Sequence, residues 1–369
     1  MPEKKTYKIC IVGNSFAKGG SEKAHSNLSN FFHTKGIEVH NIIFEDTLGY
    51  AFSGELFNLG KLKNNTLFRK ISRYKKLYNY IKHHQIDYVI DLRFRGTFYG
   101  EYVLSRFIFG QTNYIPSIRG FRFHGYFTNK DFIAKRIFAK AHRIVTVSKE
   151  MEKVVREKYG YKNLETIYNI VDTELIKTLS QEVFPEKKDD SYIVALGRMA
   201  SYNIKQQDAI IKAYSQSVLP KHGIKLLLLG EGKKRVDFEQ LAKELNLSGK
   251  VVFVGFKDNP YPYLKSAKFM VLASKTEGFP NVILESFACG TPVVSYDCKT
   301  GPNEIIEHKQ NGLLVKDQNL KELTKAMDLM IEDRVLYDFC KSNTLKTALQ
   351  FSPEIIGKQW LDMMNIKLK

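Results

Sequence analysis

At 369 residues, 43% of them hydrophobic, the chain is long enough for two domains of ordinary size, each with its own core. No run reaches the roughly 18 to 20 apolar residues of a membrane helix, the start Met1–Tyr7 is too polar for an export signal, and the four cysteines show no C-x-x-C spacing, so a reducing cytosol is expected. The net charge of +18 is uneven: residues 1–180 hold 30 Lys and Arg against 16 Asp and Glu, residues 181–369 hold 27 against 23. A basic first half points to nucleic acid, anionic lipid or a solvated surface.

Tyr7–Val12 reads as a buried strand, followed by G-N-S-F-A-K-G-G-S-E and an amphipathic helix through Leu28, Phe31 and Phe32. Gly13, Gly19 and Gly20 do not fit G-x-G-x-x-G, which disfavours a dehydrogenase. From Leu56 to Ile86 there is no acidic residue. Arg69, Arg73, Lys75 and Lys76 are interleaved there with Leu67, Phe68, Ile71, Tyr74, Leu77 and Ile81, the pattern of a basic amphipathic helix. It would pack its apolar side on the first sheet and offer its charges to water, to anionic headgroups or to a lipid pyrophosphate. No nucleic-acid-binding motif accompanies it.

Tyr88–Leu92 and Tyr114–Ile118 read as parallel strands whose following loops carry Arg93, Arg95, Arg119 and His124. Arg143–Ser148 is another strand, leading into a helix over Lys149–Tyr159 and then I-Y-N-I-V-D, where Asn169 and Asp172 suit a turn. The polar stretch 181–191 reads as an interdomain linker.

Beyond it, Tyr192–Leu196 is a strand followed by Gly197-Arg198-Met199 and Lys205, then a helix over Gln206–Val218. An arginine and a lysine past a strand's end can hold a diphosphate. Ile224–Leu229 with G-E-G and Val251–Val254 with G-F-K-D-N repeat the strand and turn design. Phe256 reads as a core residue or a stacking platform. Phe269–Ala273 is a further strand, so Glu277 and Gly278 fall beyond its carboxyl end, where open α/β sheets bind ligands. Pro280 and Asn281 start a helix and Gly290 stops it. Its free N–H groups suit an anion, and Glu285 lies about 6 Å further along at ~1.5 Å per residue. Helices over Leu320–Ile331, Arg334–Leu349 and Pro353–Met364, the last with Trp360, close the chain.

The stretch E-G-F-P-N-V-I-L-E from Glu277 to Glu285, followed by A-C-G-T-P-V-V, resembles the signature of the family 4 retaining glycosyltransferases. The resemblance covers nearly the whole chain and is strongest from Ile193 to Ile306. It implies a GT-B, α/β fold: two Rossmann-like, doubly wound domains facing across a cleft, residues 1–180 on the acceptor side and 192–350 on the nucleotide side. Residues 351–369 would form a helix crossing back to the first domain. It implies Glu277 near the donor sugar, Glu285 on the ribose, and Gly278, Phe279, Asn281 and Val282 around the donor. Arg198 and Lys205 would lie on the diphosphate, Phe256 and Lys257 beside the base, and Gly19 and Gly20 close to the phosphates and sugar. Members often place a histidine after a first-domain strand; Arg119 stands at that place here and His124 five residues on, so both are candidates for a catalytic role. Asn169 and Asp172 match the family's residues at the end of its first domain.

The function this implies is transfer of a sugar, with retention, from a UDP-sugar or related donor to a glycan or lipid-linked acceptor in polysaccharide synthesis. No metal cofactor is expected, because the chain has no Asp-x-Asp and Arg198, Lys205 and the helix end at Asn281 can meet the diphosphate. The expected partners are nucleotide-sugar, acceptor and anionic membrane, not nucleic acid, with the protein peripheral on the inner face of the membrane. Two alternatives stay open: a nucleotide-sugar 2-epimerase of the same fold, and a non-catalytic nucleic-acid binder.

Overall fold

A computed structural model describes residues 6–17, 19–62, 67–95, 98–121, 123–127, 131–183 and 191–368, and within them the side chains of all but residues 67–70, 98, 124 and 131. The chain divides into two compact units, one made of residues 1–170 and 353–369 and the other of residues 171–352.

The first unit holds seven parallel strands: β1 (Lys8–Gly13), β2 (Glu38–Ile43), β3 (Glu55–Asn58), β4 (Tyr88–Asp91), β5 (Asn113–Ile118), β6 (Ile144–Thr146) and β7 (Leu164–Thr166). Their order is β3-β2-β1-β4-β5-β6-β7. The second unit holds β8 (Tyr192–Leu196), β9 (Lys225–Leu229), β10 (Val251–Gly255), β11 (Met270–Leu272), β12 (Val293–Asp297) and β13 (Gly312–Lys316), also parallel, in the order β10-β9-β8-β11-β12-β13. Each sheet starts in its middle, steps outward one way, then restarts on the other side. The switch points therefore lie between β1 and β4 and between β8 and β11, and loops beyond the carboxyl ends of those strands are where a doubly wound sheet receives a ligand.

Helices cover the sheets because the strands are apolar on both faces: Ile9, Ile11, Val12, Ile193 and Val194 are all fully buried. The helix Lys149–Tyr159 starts at Ser148, whose Oγ accepts from Met151 N, and ends at Gly160 with φ +72°. Pro353–Met363 belongs to the first unit, where it packs against Gly20–Thr34. The Tyr88 hydroxyl donates to Met364 O.

Two sequence expectations change. The basic helix runs over Leu67–His83 rather than from Leu56, because Glu55–Asn58 pairs with β2 as an edge strand and Leu59–Leu62 forms a 3-10 turn. Residues 173–179, expected in the first domain, form the helix Thr173–Leu179, which packs on Tyr261–Ser266 and Asn281–Ala288 of the second unit, and Asn259 Nδ2 donates to Leu179 O at 2.8 Å. Most of the expected linker, residues 184–190, lies outside the described residues.

Candidate active site

In the second unit, β8 and β11 deliver their loops side by side at the switch point. The β8 loop is held from the β9 side: Gly197 N donates to Leu229 O at 3.0 Å and Met199 N to Glu231 O at 2.9 Å. At Gly230 (φ +140°) a Cβ would lie 2.1 Å from Gly197 O, so the close approach of the G-E-G turn requires glycine. Arg198 is exposed at the tip of this loop.

Lys275 N donates to Ile204 O at 2.8 Å, joining the two loops, and the Lys205 ammonium meets Glu277 Oε1 at 2.5 Å. Both side chains are largely shielded, at 26% and 11% exposure, so this pair is stronger than a solvated one. Thr300 Oγ1 donates to Glu277 O. Gly301 (φ +94°) lies against Pro280 and Gly278 O, where its Cβ would come within 2.5 Å of Pro280 Cδ. Glu277 and Gly278 are thus fixed by neighbours on three sides. The helix Asn281–Ala288 follows at once, with Cys289 as its last cap and Gly290 at φ +76°. Asn281, Val282 and Glu285 are half-buried along its first turns, whereas Phe279 is buried with its ring 5.5 Å from that of Phe351. Phe279 therefore shapes the loop rather than offering a ring to a ligand.

Phe256, beyond β10, is 51% exposed, which corrects the expectation of core packing. Lys257 Nζ lies 5.6 Å from the centre of the Tyr263 ring.

In the first unit, Gly19 caps and Gly20 begins the helix Gly20–Thr34. Gly19 is extended (φ −155°), and a Cβ there would meet only the end of the Glu22 side chain, so no left-handed backbone demands it. The Ser21 hydroxyl donates to Leu92 O at 3.0 Å, tying this helix start to the β4 loop. Arg119, just past β5, donates to Asn169 Oδ1 and weakly to Ser117 Oγ. Burial pushes its guanidinium down to about 10, against the pull of Tyr126 and Glu22. Asn169 is thereby assigned to holding Arg119. Asp172 caps Thr173–Leu179, accepting from Leu175 N at 2.9 Å. His124 lies in the 3-10 turn Phe123–Gly125, with its side chain outside the described residues.

Sequence reasoning read Arg93 and Arg95 as loop polar groups, but the structure buries them around Asp91. The Asp91 carboxylate accepts from Arg93 Nε and Nη2 and from Tyr114 Oη, each at 2.9 Å, and Arg95 Nη2 lies 3.3 Å away. Burial alone would raise this carboxyl, yet the two guanidiniums hold it well below the usual carboxylate range. Glu101 closes the network on Arg93 at 2.9 Å. The only sequence signal was the alternation D-L-R-F-R.

The geometry finds its parallel among known proteins. A model described as Glycosyl transferases group 1 matches residues 177–347, and one described as Glycosyltransferase Family 4 matches residues 18–175. The chain belongs to the family 4 glycosyltransferases. It is 28% identical to the N-acetylgalactosamine-N,N'-diacetylbacillosaminyl-diphospho-undecaprenol 4-alpha-N-acetylgalactosaminyltransferase of Campylobacter jejuni, over 96% of this chain and 98% of that protein. It is 29% identical to the lipopolysaccharide core biosynthesis glycosyltransferase LpsE of Rhizobium meliloti, over 66% of each. Among solved structures, HepE of Anabaena in complex with UDP and glucose matches with a TM-score of 0.79 at 19% identity, covering 97% of this chain and 99% of that one. The fold is GT-B, α/β, with two Rossmann-like domains. The chain is a glycosyltransferase, and the epimerase alternative is not favoured. Among the described residues no helix is long and apolar enough to cross a membrane.

Proposed function

We propose that this glycosyltransferase moves a sugar from a nucleotide diphosphate donor, a UDP-sugar, to a hydroxyl of a lipid-linked or polysaccharide glycan, with retention and without a metal ion. The observation that carries the reading is the Lys205–Glu277 pair, set at 2.5 Å beyond β8 and β11 and beside the start of the helix Asn281–Ala288. The Campylobacter relative's lipid-diphosphate acceptor and the UDP held by HepE support the choice of acceptor and donor classes.

In this reading the bond from the sugar's anomeric carbon to the diphosphate breaks with its electrons going to phosphate. Arg198, Lys205 and the helix N–H groups meet the developing charge, each such contact contributing about 3 kcal/mol in a water-poor site. Glu277 contacts the sugar hydroxyls and orients Lys205, and Glu285 receives the ribose. The acceptor oxygen attacks from the side the diphosphate leaves, and its proton goes to the departing phosphate. Arg119 and His124 are candidates on the acceptor side, and the basic helix would hold the protein on the inner face of an anionic membrane. Nucleic acid has no part in this reading.

The test incubates purified protein with a panel of nucleotide sugars and follows slow donor hydrolysis, then transfer, with the anomeric configuration of the product read by NMR. One UDP-sugar should turn over, with retention, in excess EDTA. The double variant Arg198→Ala, Lys205→Ala should abolish transfer. Full activity in that variant, or loss in EDTA restored by magnesium or manganese, would sink the assignment.

A further inference from the structure

A second cluster of chemically capable side chains lies in the first unit, at the opposite end of its strands from the loops that carry Gly19 and Arg119. Glu38 opens β2 and His40 follows two residues on, so both project from one face of the strand. His84 comes immediately after the helix Leu67–His83, whose last turns lie over that face. One ligand atom from each of Glu38, His40 and His84 lies within 4.8 Å of the others.

The details resemble the environment of a metal-bound imidazole. His40 is fully buried, and its Nδ1 is 2.9 Å from Tyr80 Oη, which in turn approaches Glu55 Oε2 at 3.4 Å. Such a partner fixes the ring and leaves the other nitrogen to ligate. That nitrogen, Nε2, points at Glu38 Oε1 from 2.9 Å. The His84 ring centre is 4.7 Å from that of His40 and 4.3 Å from that of Tyr80. Lys8 Nζ lies 3.2 Å from Glu38 Oε1, so a cation already neutralises the carboxylate.

We propose that Glu38, His40 and His84 bind a divalent transition metal, zinc or one of similar preference, with a position left for water. Two imidazoles and one carboxylate suit zinc and disfavour magnesium and calcium, which take oxygen ligands. Metal–ligand distances of about 2.0–2.1 Å place tetrahedral ligand atoms roughly 3.3 Å apart. Glu38 and His84 are both partly exposed, so their side chains can turn to close that gap while His40 stays in place. The ion would tie β2 to the end of the basic helix. It stands apart from the transfer chemistry, so it is compatible with activity in EDTA.

The experiment uses the full chain without a histidine tag, stripped with chelator and titrated with zinc by calorimetry and with cobalt by visible absorption. One equivalent should bind, raise the Tm and give the intense cobalt bands of a four-coordinate site. Glu38→Gln and His84→Ala should each weaken binding at least about tenfold with unchanged circular dichroism. Tyr80→Phe should weaken it by about ten- to a hundredfold through the lost orienting contact. Lys8→Gln should strengthen it by removing the competing cation. EDTA should lower the wild-type Tm to that of His84→Ala while donor hydrolysis persists. Absence of saturation at millimolar metal, or equal affinity in wild type, Glu38→Gln and His84→Ala, overturns the proposal.

Discussion

At the scale of single residues, Glu285 and His25 show how position turns ordinary side chains into testable ones. Glu285 is half-buried one turn into the helix Asn281–Ala288, where the proposed donor would place its ribose hydroxyls. Glu285→Ala should weaken UDP binding by about 1.5–3 kcal/mol, the range of a hydrogen bond to a charged group, and leave the Tm nearly unchanged; unchanged UDP affinity by calorimetry would remove Glu285 from the site. His25 is fully buried, with Nε2 at 3.1 Å from Asn41 Oδ1 and Nδ1 against Gly13. Burial lowers its pKa from 6.5 to about 3, partly opposed by the Asn41 bond and assisted by Arg119. Between those values the unfolded chain binds a proton that the folded chain refuses. Stability is therefore insensitive to His25 above about pH 7 and falls as pH drops through 6.5 toward 3, by up to ~1.4 kcal/mol per pH unit. Urea unfolding at pH 7 and pH 5 should show a smaller acid loss in His25→Gln than in wild type. Parallel losses would show that His25 does not set this sensitivity.

At the scale of elements, legibility followed the local signals. Asn281–Ala288 was readable because Pro280 and Gly290 mark its ends, and Lys149–Tyr159 and Arg334–Leu349 begin where the Ser148 and Asp333 side chains cap them. β2 was missed because its buried His40 and Asn41 break the apolar pattern. The Glu277 motif was legible as a contiguous string, but its pairing with Lys205 spans 72 residues and is created by the β8–β11 switch point. The basic helix was only partly readable. Its Leu77 and Ile81 are buried as periodicity required, Lys75 and Lys76 are exposed, and Ile71 is 59% exposed despite its place in the apolar series. Arg73, expected on the membrane surface, turns inward: its Nη2 donates to Phe44 O at 3.2 Å and its guanidinium lies 5.5 Å from the Phe44 ring centre. The surface test therefore leaves Arg73 in place. Replacing Arg69, Lys75 and Lys76 by glutamine should lower binding to anionic vesicles and raise the KM for a lipid-linked acceptor, with UDP affinity unchanged. The difference should fade at 1 M salt, where screening shortens to about 3 Å. Equal vesicle binding and equal acceptor kinetics would make the helix ordinary solvated surface.

At the scale of the whole molecule, the chain leaves the first unit after Ile170 and rejoins it at Pro353. The first unit is thus completed by a segment that follows the second unit in the chain, and Ile356, Trp360, Leu361 and Met364 are all buried there. Fully burying each large apolar side chain is worth about 1.5–3 kcal/mol, so removing four should cost the first unit a large part of its stability. The helix meets its neighbour closely at Gly357, where a Cβ would lie 2.3 Å from Phe31 Cζ. Phe31 is itself buried, so its ring has little room to retreat. Gly357→Leu should destabilise the first unit by about 1–3 kcal/mol through overpacking, and truncation after Ser352 by more. Hydrogen exchange should then quicken in β1 and in the helix Gly20–Thr34, while amides of β8 and β11 keep their protection and UDP still binds. The separation follows from covalent order, because the proposed donor residues from Arg198 to Glu285 lie in the unit made of residues 171–352. Equal loss of protection in both units would show that the terminal helix stabilises the molecule as a single cooperative body.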